Sequence, residues 1–121
     1  MGLSDHGENA MLGMMKQAGT FYLALFTQSP GESAGGTEIA GGGYARQQVG
    51  FGTPSGGVMR NDAVIVFPTA TSDWGTATGW GLFDAASGGN LWWYGDIDTP
   101  KELFAGDIYR VNAGGLSLAM E

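Results

Sequence analysis

Glycine constrains this chain more than any other residue. It fills 23 of 121 positions, and it is bunched, at Gly35-Gly36, Gly41-Gly42-Gly43, Gly56-Gly57, Gly88-Gly89 and Gly114-Gly115. The bunches follow no G-X-Y period, so a collagen triple helix is excluded. Glycine takes positive φ at no steric cost, and tight turns require it. Doublets between short apolar segments therefore read as punctuation between strands.

The segments between the glycines fit that reading. TFYLALFT, 20–27, puts Phe21, Leu23 and Leu25 on one side and Tyr22, Ala24 and Phe26 on the other, which predicts a central strand covered on both faces. A long polar loop is expected over 28–43 and a strand over 44–51. VMRNDAVIVFP, 58–68, reads as a short strand, an Asn-Asp break and a buried strand. Further strands are expected near 76–83 and at LWWYGDI, 91–97, with DTPKELFAGD as a connection around Pro100. IYRVNAGGLSLAM gives either two short strands or one bulged strand at Gly114-Gly115. Seven to nine short strands with frequent turn signals predict an all-β fold, an antiparallel β-sandwich or jelly-roll-like architecture. No helical pattern alternates with the strands, which disfavours a parallel α/β sheet.

One helix is expected, before Gly19. Ser4 suits the N-cap, and Asp5 and Glu8 place negative charge in the first turn, where the helix dipole favours it. Leu3, Ala10, Met11, Met14, Met15 and Ala18 form the apolar stripe by this reading. Gly7 and Gly13 each weaken the helix by up to about 1 kcal/mol relative to alanine, so it must dock on something. The chain reads as one domain, 1–121, with a helical arm over 1–19 and a β-sandwich over 20–121.

Composition narrows the function. There is no cysteine, which removes disulfides, thiolate catalysis and sulfur-bound zinc. Twelve acids against five bases give a net charge of −7, which repels phosphate backbones, so no nucleic-acid partner is expected. The apolar runs are short, AVIVF at 63–67 being typical, so no membrane partner is expected either. The first residues lack a basic stretch and read as no signal peptide. His6 is the sole imidazole and stands in the first helical turn. No serine lies in a G-x-S-x-G elbow. Asp73, Asp84, Asp96, Asp98 and Asp107 are available as paired carboxylates, but most sit in ordinary turn contexts. Asp96 and Asp98 offer two oxygens to calcium without the remaining ligands of a calcium loop. Gly41-Gly42-Gly43-Tyr44 lacks the lysine and helix of a phosphate loop and reads as a strand entrance. No catalytic, cofactor or metal residue is assigned.

The aromatic residues are the better ligand or interface candidates. All four tryptophans lie between 74 and 93. Trp74, Trp80 and one of the Trp92-Trp93 pair are expected in the core. Trp92 and Trp93 are adjacent on a strand, so they point to opposite faces, and the outward one is an interface anchor or a stacking platform for a sugar. Arg46 and Arg110 lie within strands among apolar neighbours and are expected to be structural or subunit-contact residues, each needing a carboxylate if buried. Met11, Met14 and Met15 complete the interface candidates, methionine being adaptable at imperfect contacts.

The pattern W-G-x-x-x-x-x-G-x-F-D-A-x-S-G-G-N-L from Trp74 to Leu91, the E-x-x-G-G-G-Y-A-R block from Glu38 to Arg46, and Gly106-Asp107-Ile108-Tyr109-Arg110 followed by GGLSLAM occur in this order. Together they resemble small tailed-phage virion proteins, described as tail-fibre or head-decoration proteins, over Asn9 to Met120. The resemblance implies a virion structural protein without enzymatic activity, made in the host cytoplasm and carried in the virion. It implies the major capsid protein or tail proteins as partners. A capsid decoration or cement protein is the first expectation, with a homotrimer inferred from analogy with such proteins. A short tail-fibre or baseplate component is the alternative, and a carbohydrate-binding module the second.

Overall fold

The computed structural model describes residues 4–31 and 35–119. Within them the fold is all-β with one short helix: α1 (Asp5–Gln17), β1 (Phe21–Gln28), β2 (Thr37–Glu38), β3 (Gln47–Val49), β4 (Val58–Arg60), β5 (Ile65–Val66), β6 (Gly75–Phe83), β7 (Leu91–Leu103), β8 (Arg110–Val111) and β9 (Ser117–Ala119). All pairings are antiparallel. The large sheet runs β2-β1-β6-β7, with β3 pairing β1 beyond β2. Two ribbons, β4-β9 and β5-β8, supply the rest. The second layer of the expected sandwich is thus built from two ribbons and the helix.

β1 explains this layering. Phe21, Leu23 and Leu25 face a core shared with Leu12 and Met15 of α1, Met59 of β4, Ile65 of β5, Leu82 of β6 and Leu118 of β9. Ala24 and Phe26 face the other way, against Phe83 and Leu91. Burial on both sides is why β1 reads as a nearly continuous apolar run. Opposite Ala24 and Phe26, β6 carries Gly81 and Gly79. A Cβ at Gly81 would meet Leu91, Phe26 and Phe83 at 3.0 Å each, so the glycine lets three side chains close over the sheet.

The helix follows its capping signals but not its expected stripe. Ser4 Oγ accepts the Gly7 amide at 3.1 Å. The buried residues are Glu8, Leu12 and Met15, an i, i+4, i+7 set on one face. Ala10, Met11, Met14 and Ala18 are exposed, and Leu3 lies outside the described residues. Neighbours such as Met14 and Met15 stand 100° apart around a helix, so the core takes the one aligned with Leu12. Glu8 is buried because the helix start docks on the 55–58 turn: Gly57 has φ +76°, its Cα side lies against the Glu8 carboxylate, and its amide donates to Asn9 Oδ1 at 2.8 Å.

Two further differences concern Pro100 and the glycine triplet. β7 does not end before Pro100. It pairs with β6 at Gly79↔Asp96 and again at Ala77↔Lys101, so residues 97–100 bulge out opposite Thr78. A proline is accommodated in a bulge because no ladder N–H is demanded of it. Gly41, Gly42 and Gly43 all have positive φ and form a turn rather than a strand entrance, with β3 starting only at Gln47. Gly42 is held there: a Cβ on it would meet Ser72 Oγ at 2.5 Å and Trp74 Nε1 at 2.8 Å. The C-terminal segment forms two short strands, and Thr37–Glu38 adds a strand within the expected loop.

Candidate functional site: an interlocked turn and an open cleft

The glycine triplet sets up the first feature. It turns the chain so that Tyr44 and Arg46 reach back to Glu38. Tyr44 Oη donates to Glu38 Oε2 at 2.7 Å and accepts the Leu25 amide at 3.0 Å. Arg46 grips the same carboxylate with two bonds, Nε to Oε2 and Nη2 to Oε1, each 2.9 Å. Its Nη1 donates to the carbonyls of Ala85 (2.9 Å) and Gly88 (2.8 Å). The guanidinium lies 3.9 Å from the Phe83 ring centroid, a favourable cation–π position. The Glu38-to-Arg46 block and the Phe83-to-Asn90 turn, distant in sequence, are therefore one structure.

The turn itself is tied by Asp84. Its Oδ1 accepts the Asn90 amide at 2.7 Å, and its Oδ2 accepts Asn90 Nδ2 and Trp92 Nε1, both at 3.1 Å. The Asn90 amide, then Trp92 and the Asn90 side chain, hold the Asp84 carboxyl below its usual range. Burial pushes Glu38 up, but the hydrogen bonds from Arg46 and Tyr44 and the charge of Arg46 outweigh it and leave the carboxyl below its ordinary value. Burial first, and then the Glu38 carboxylate, push the Tyr44 phenol well above its ordinary range. Every donor and acceptor named here has its partner. Such a node fixes geometry.

The second feature is a cleft of about 780 Å³ between the β1-β6-β7 face and the β8–β9 segment. The buried side chains of Leu23, Leu25 and Leu116 lie at its base. Trp80 and Tyr109 line it and are only half-buried. The bulge at 97–100 brings Asp98 and Thr99 to one rim, and Asn112 and Ser117 form the other. Trp80 faces Gly95 in the ladder. A Cβ on Gly95 would lie 2.7 Å from Trp80 Nε1 and 2.9 Å from Cε2 and Cζ2, so the indole lies down against β7 only because that residue is glycine. Burial raises the Tyr109 phenol above its ordinary value.

The indole N–H groups separate the two features. Trp74 Nε1 donates to Gly42 O at 2.8 Å, Trp92 Nε1 to Asp84 Oδ2 at 3.1 Å and Trp93 Nε1 to Met15 Sδ at 2.9 Å. Trp80 Nε1 has no acceptor among the described residues, and Trp80 is only half-buried.

The residues singled out from the sequence fall as follows. Trp74 is buried, Trp93 and Trp80 pack half-buried on the core, and Trp92 is 47% exposed with its ring edge-on to Phe21. Met11 and Met14 are exposed, whereas Met15 is in the core. Arg46 is buried in the node with the carboxylate it requires. Arg110 is exposed on β8. His6 is exposed in the first turn of α1. Among the described residues, no three His, Asp or Glu side chains gather as a metal-binding group, and no helix is long and apolar enough to cross a membrane. Sequence reasoning did not single out Glu38, Tyr44 or Tyr109 as site residues. The signal for all three was motif order, the Glu38-to-Arg46 block for the first two and the Gly106-to-Arg110 motif for Tyr109.

A family model described as podophage GP4 fiber I protein gp80 matches residues 2–119, and the chain belongs to that family of phage virion structural proteins. A search of curated proteins finds no match.

Proposed function

We propose that the chain is a non-enzymatic fibre component of a podophage virion, working by holding neighbouring proteins and surfaces. The observation that carries this reading is the match to the fibre family over 2–119. Of the two virion positions expected from the sequence, the family description favours the fibre over capsid decoration. The structure is compatible with a binding role. Large apolar side chains stand exposed, among them Met11, Met14, Trp92, Tyr94, Phe104 and Ile108, and exposed apolar groups in excess of ordinary surface mark contact sites. β7 is the terminal strand of the large sheet, so one of its edges is unpaired by any strand among the described residues. Self-association, as a homotrimer or another small ring, fits these surfaces, with Trp92, Met11, Met14 and Arg110 at the contacts and Met15, Trp93 and Arg46 holding the subunit's own shape.

The test is copy number and position in purified virions. Quantitative mass spectrometry with antibody-gold labelling is expected to show a few to a few tens of copies on the tail. Hundreds of copies spread over the head would overturn the fibre reading in favour of decoration. Sedimentation of the pure chain checks the oligomer; a strict monomer at high concentration contradicts the ring.

A further inference from the structure

We infer that the cleft between β6-β7 and the β8–β9 segment binds a neutral saccharide, with Trp80 as its stacking platform and Asn112, Ser117 and the 97–100 bulge as the polar rim. This goes beyond the chain's place in the virion. It stands on four observations.

The first is size and composition. At about 780 Å³ the cleft falls within the range of small-molecule sites. It combines an aromatic wall with hydroxyl, amide and carboxylate groups at the rim. A pyranose has this same division: a C–H face that packs on an aromatic ring and a girdle of hydroxyls that seek donors and acceptors. A purely apolar ligand would leave the rim groups it covers without partners.

The second is the pose of Trp80. The glycine at position 95 lets the indole lie against β7, where Trp80 lines the cleft. The third is its free donor. The other three indoles spend their N–H on carbonyl, carboxylate or sulfur acceptors within the chain, and Trp80 does not among the described residues. Tyr109 likewise makes no side-chain hydrogen bond there, and its ring is fixed edge-on to Phe67, 5.9 Å between centroids. Both aromatic residues line the same cleft. The fourth is charge. Asp96, Asp98 and Arg110 line the cleft, so its two carboxylates outnumber its one cation, and with the chain's net charge of −7 this disfavours anionic polymers and favours neutral sugars.

The experiment uses the full chain and a panel of neutral oligosaccharides ending in glucose, galactose, mannose or N-acetylglucosamine, with uncharged and cationic peptides as the competing class. Tryptophan fluorescence and titration calorimetry read the binding. At least one saccharide is expected to bind, and Trp80→Phe, which keeps a ring in the core but removes the indole N–H, is expected to weaken it about tenfold or more. Asn112→Ala, at the exposed rim, is expected to weaken it several-fold with an unchanged melting temperature. Trp92→Ala, whose indole belongs to the Asp84 turn, is expected to bind as wild type. No saccharide binding by the folded chain at roughly 10 mM, a limit already below useful affinity, overturns the inference. So does binding that survives both Trp80→Phe and Asn112→Ala, or selective capture of peptides. Virion labelling is read separately, so a chain placed on the tail that ignores sugars removes this inference and leaves the fibre reading standing. A sugar-binding chain on the head does the reverse.

Discussion

Two regions of this molecule use the same chemistry to opposite ends. Around Arg46, an arginine, a carboxylate, a phenol and backbone carbonyls are fully paired with one another. Around Trp80, an indole, a phenol and rim polar groups face an open cleft with donors to spare. A saturated network has nothing left to offer a ligand, and its removal is felt as lost stability. An unsaturated one contributes little to stability and retains its capacity to bind. Residue type alone does not distinguish them; the count of satisfied partners does.

The largest expected effect comes from breaking the node. Arg46→Ala leaves Glu38 beneath Tyr44 without its counter-charge and strips two turn carbonyls of their donor. The Arg46 side chain is 8% exposed and Glu38 26%, so the pair is only partly buried and its loss should fall at or below the lower end of the roughly 3–5 kcal/mol seen for fully buried pairs. Urea denaturation measures it. A loss below about 1 kcal/mol would show that the interlock is decorative.

Next is Gly42→Ala. The position has φ +59° and sits against Ser72 and Trp74. Left-handed backbone in a non-glycine residue costs roughly 1–3 kcal/mol, and the contact adds to it. Gly41→Ala, where φ is also positive but nothing lies near the missing Cβ, is the control. It should cost less, and equal losses would place the whole effect in the backbone.

Acid should weaken the node. The Glu38 carboxyl is held below its ordinary value of 4.5 in the fold. Stability from this shift is fully present above the unfolded value and is lost as pH falls through the lowered folded one. Denaturation midpoints of wild type should fall relative to Glu38→Gln as pH drops below about 4.5. Parallel curves for the two proteins would remove Glu38 from the acid response.

How legible was this in the sequence? The helix cap at Ser4, the two-faced β1, the break at Asn61-Asp62 and the all-β class follow from local pattern: capping chemistry, period-two alternation and glycine placement. What failed was set by partners far along the chain. Glu8 read only as a first-turn acid suited to the helix dipole, yet it is buried, because Gly57 makes room for it. Leu12 was absent from the stripe because helical neighbours compete for one face and only the docked surface decides between them. Pro100 looked like a strand end, but a four-residue bulge opposite Thr78 absorbs it. The ordered Glu38-to-Arg46 and Phe83-to-Asn90 motifs were visible. That they grip each other was not, since nothing in either motif names the other. The cleft was less legible still. Trp80 was expected in the core, and its half-exposure depends on how β8 and β9 stand off from the sheet.

The smallest expected effect on stability is Trp92→Ala. It removes an edge-on contact with Phe21, 5.2 Å between centroids, and an exposed bond to Asp84. Aromatic pairs of this kind contribute roughly 0.5–1.5 kcal/mol. A loss several times larger would move Trp92 from the surface into the scaffold.

The contrast between the two regions is tested most directly by the indole N–H signals in a nitrogen-proton correlation spectrum of the labelled chain. Four tryptophans give four signals. Trp74, itself buried and bonded to Gly42 O, should exchange slowly with solvent. Trp80 should exchange rapidly, and on adding a bound neutral saccharide its signal should shift most while that of Trp74 stays in place. A slowly exchanging Trp80, or a saccharide shift centred on Trp92 instead, would contradict the division between a saturated node and an open cleft.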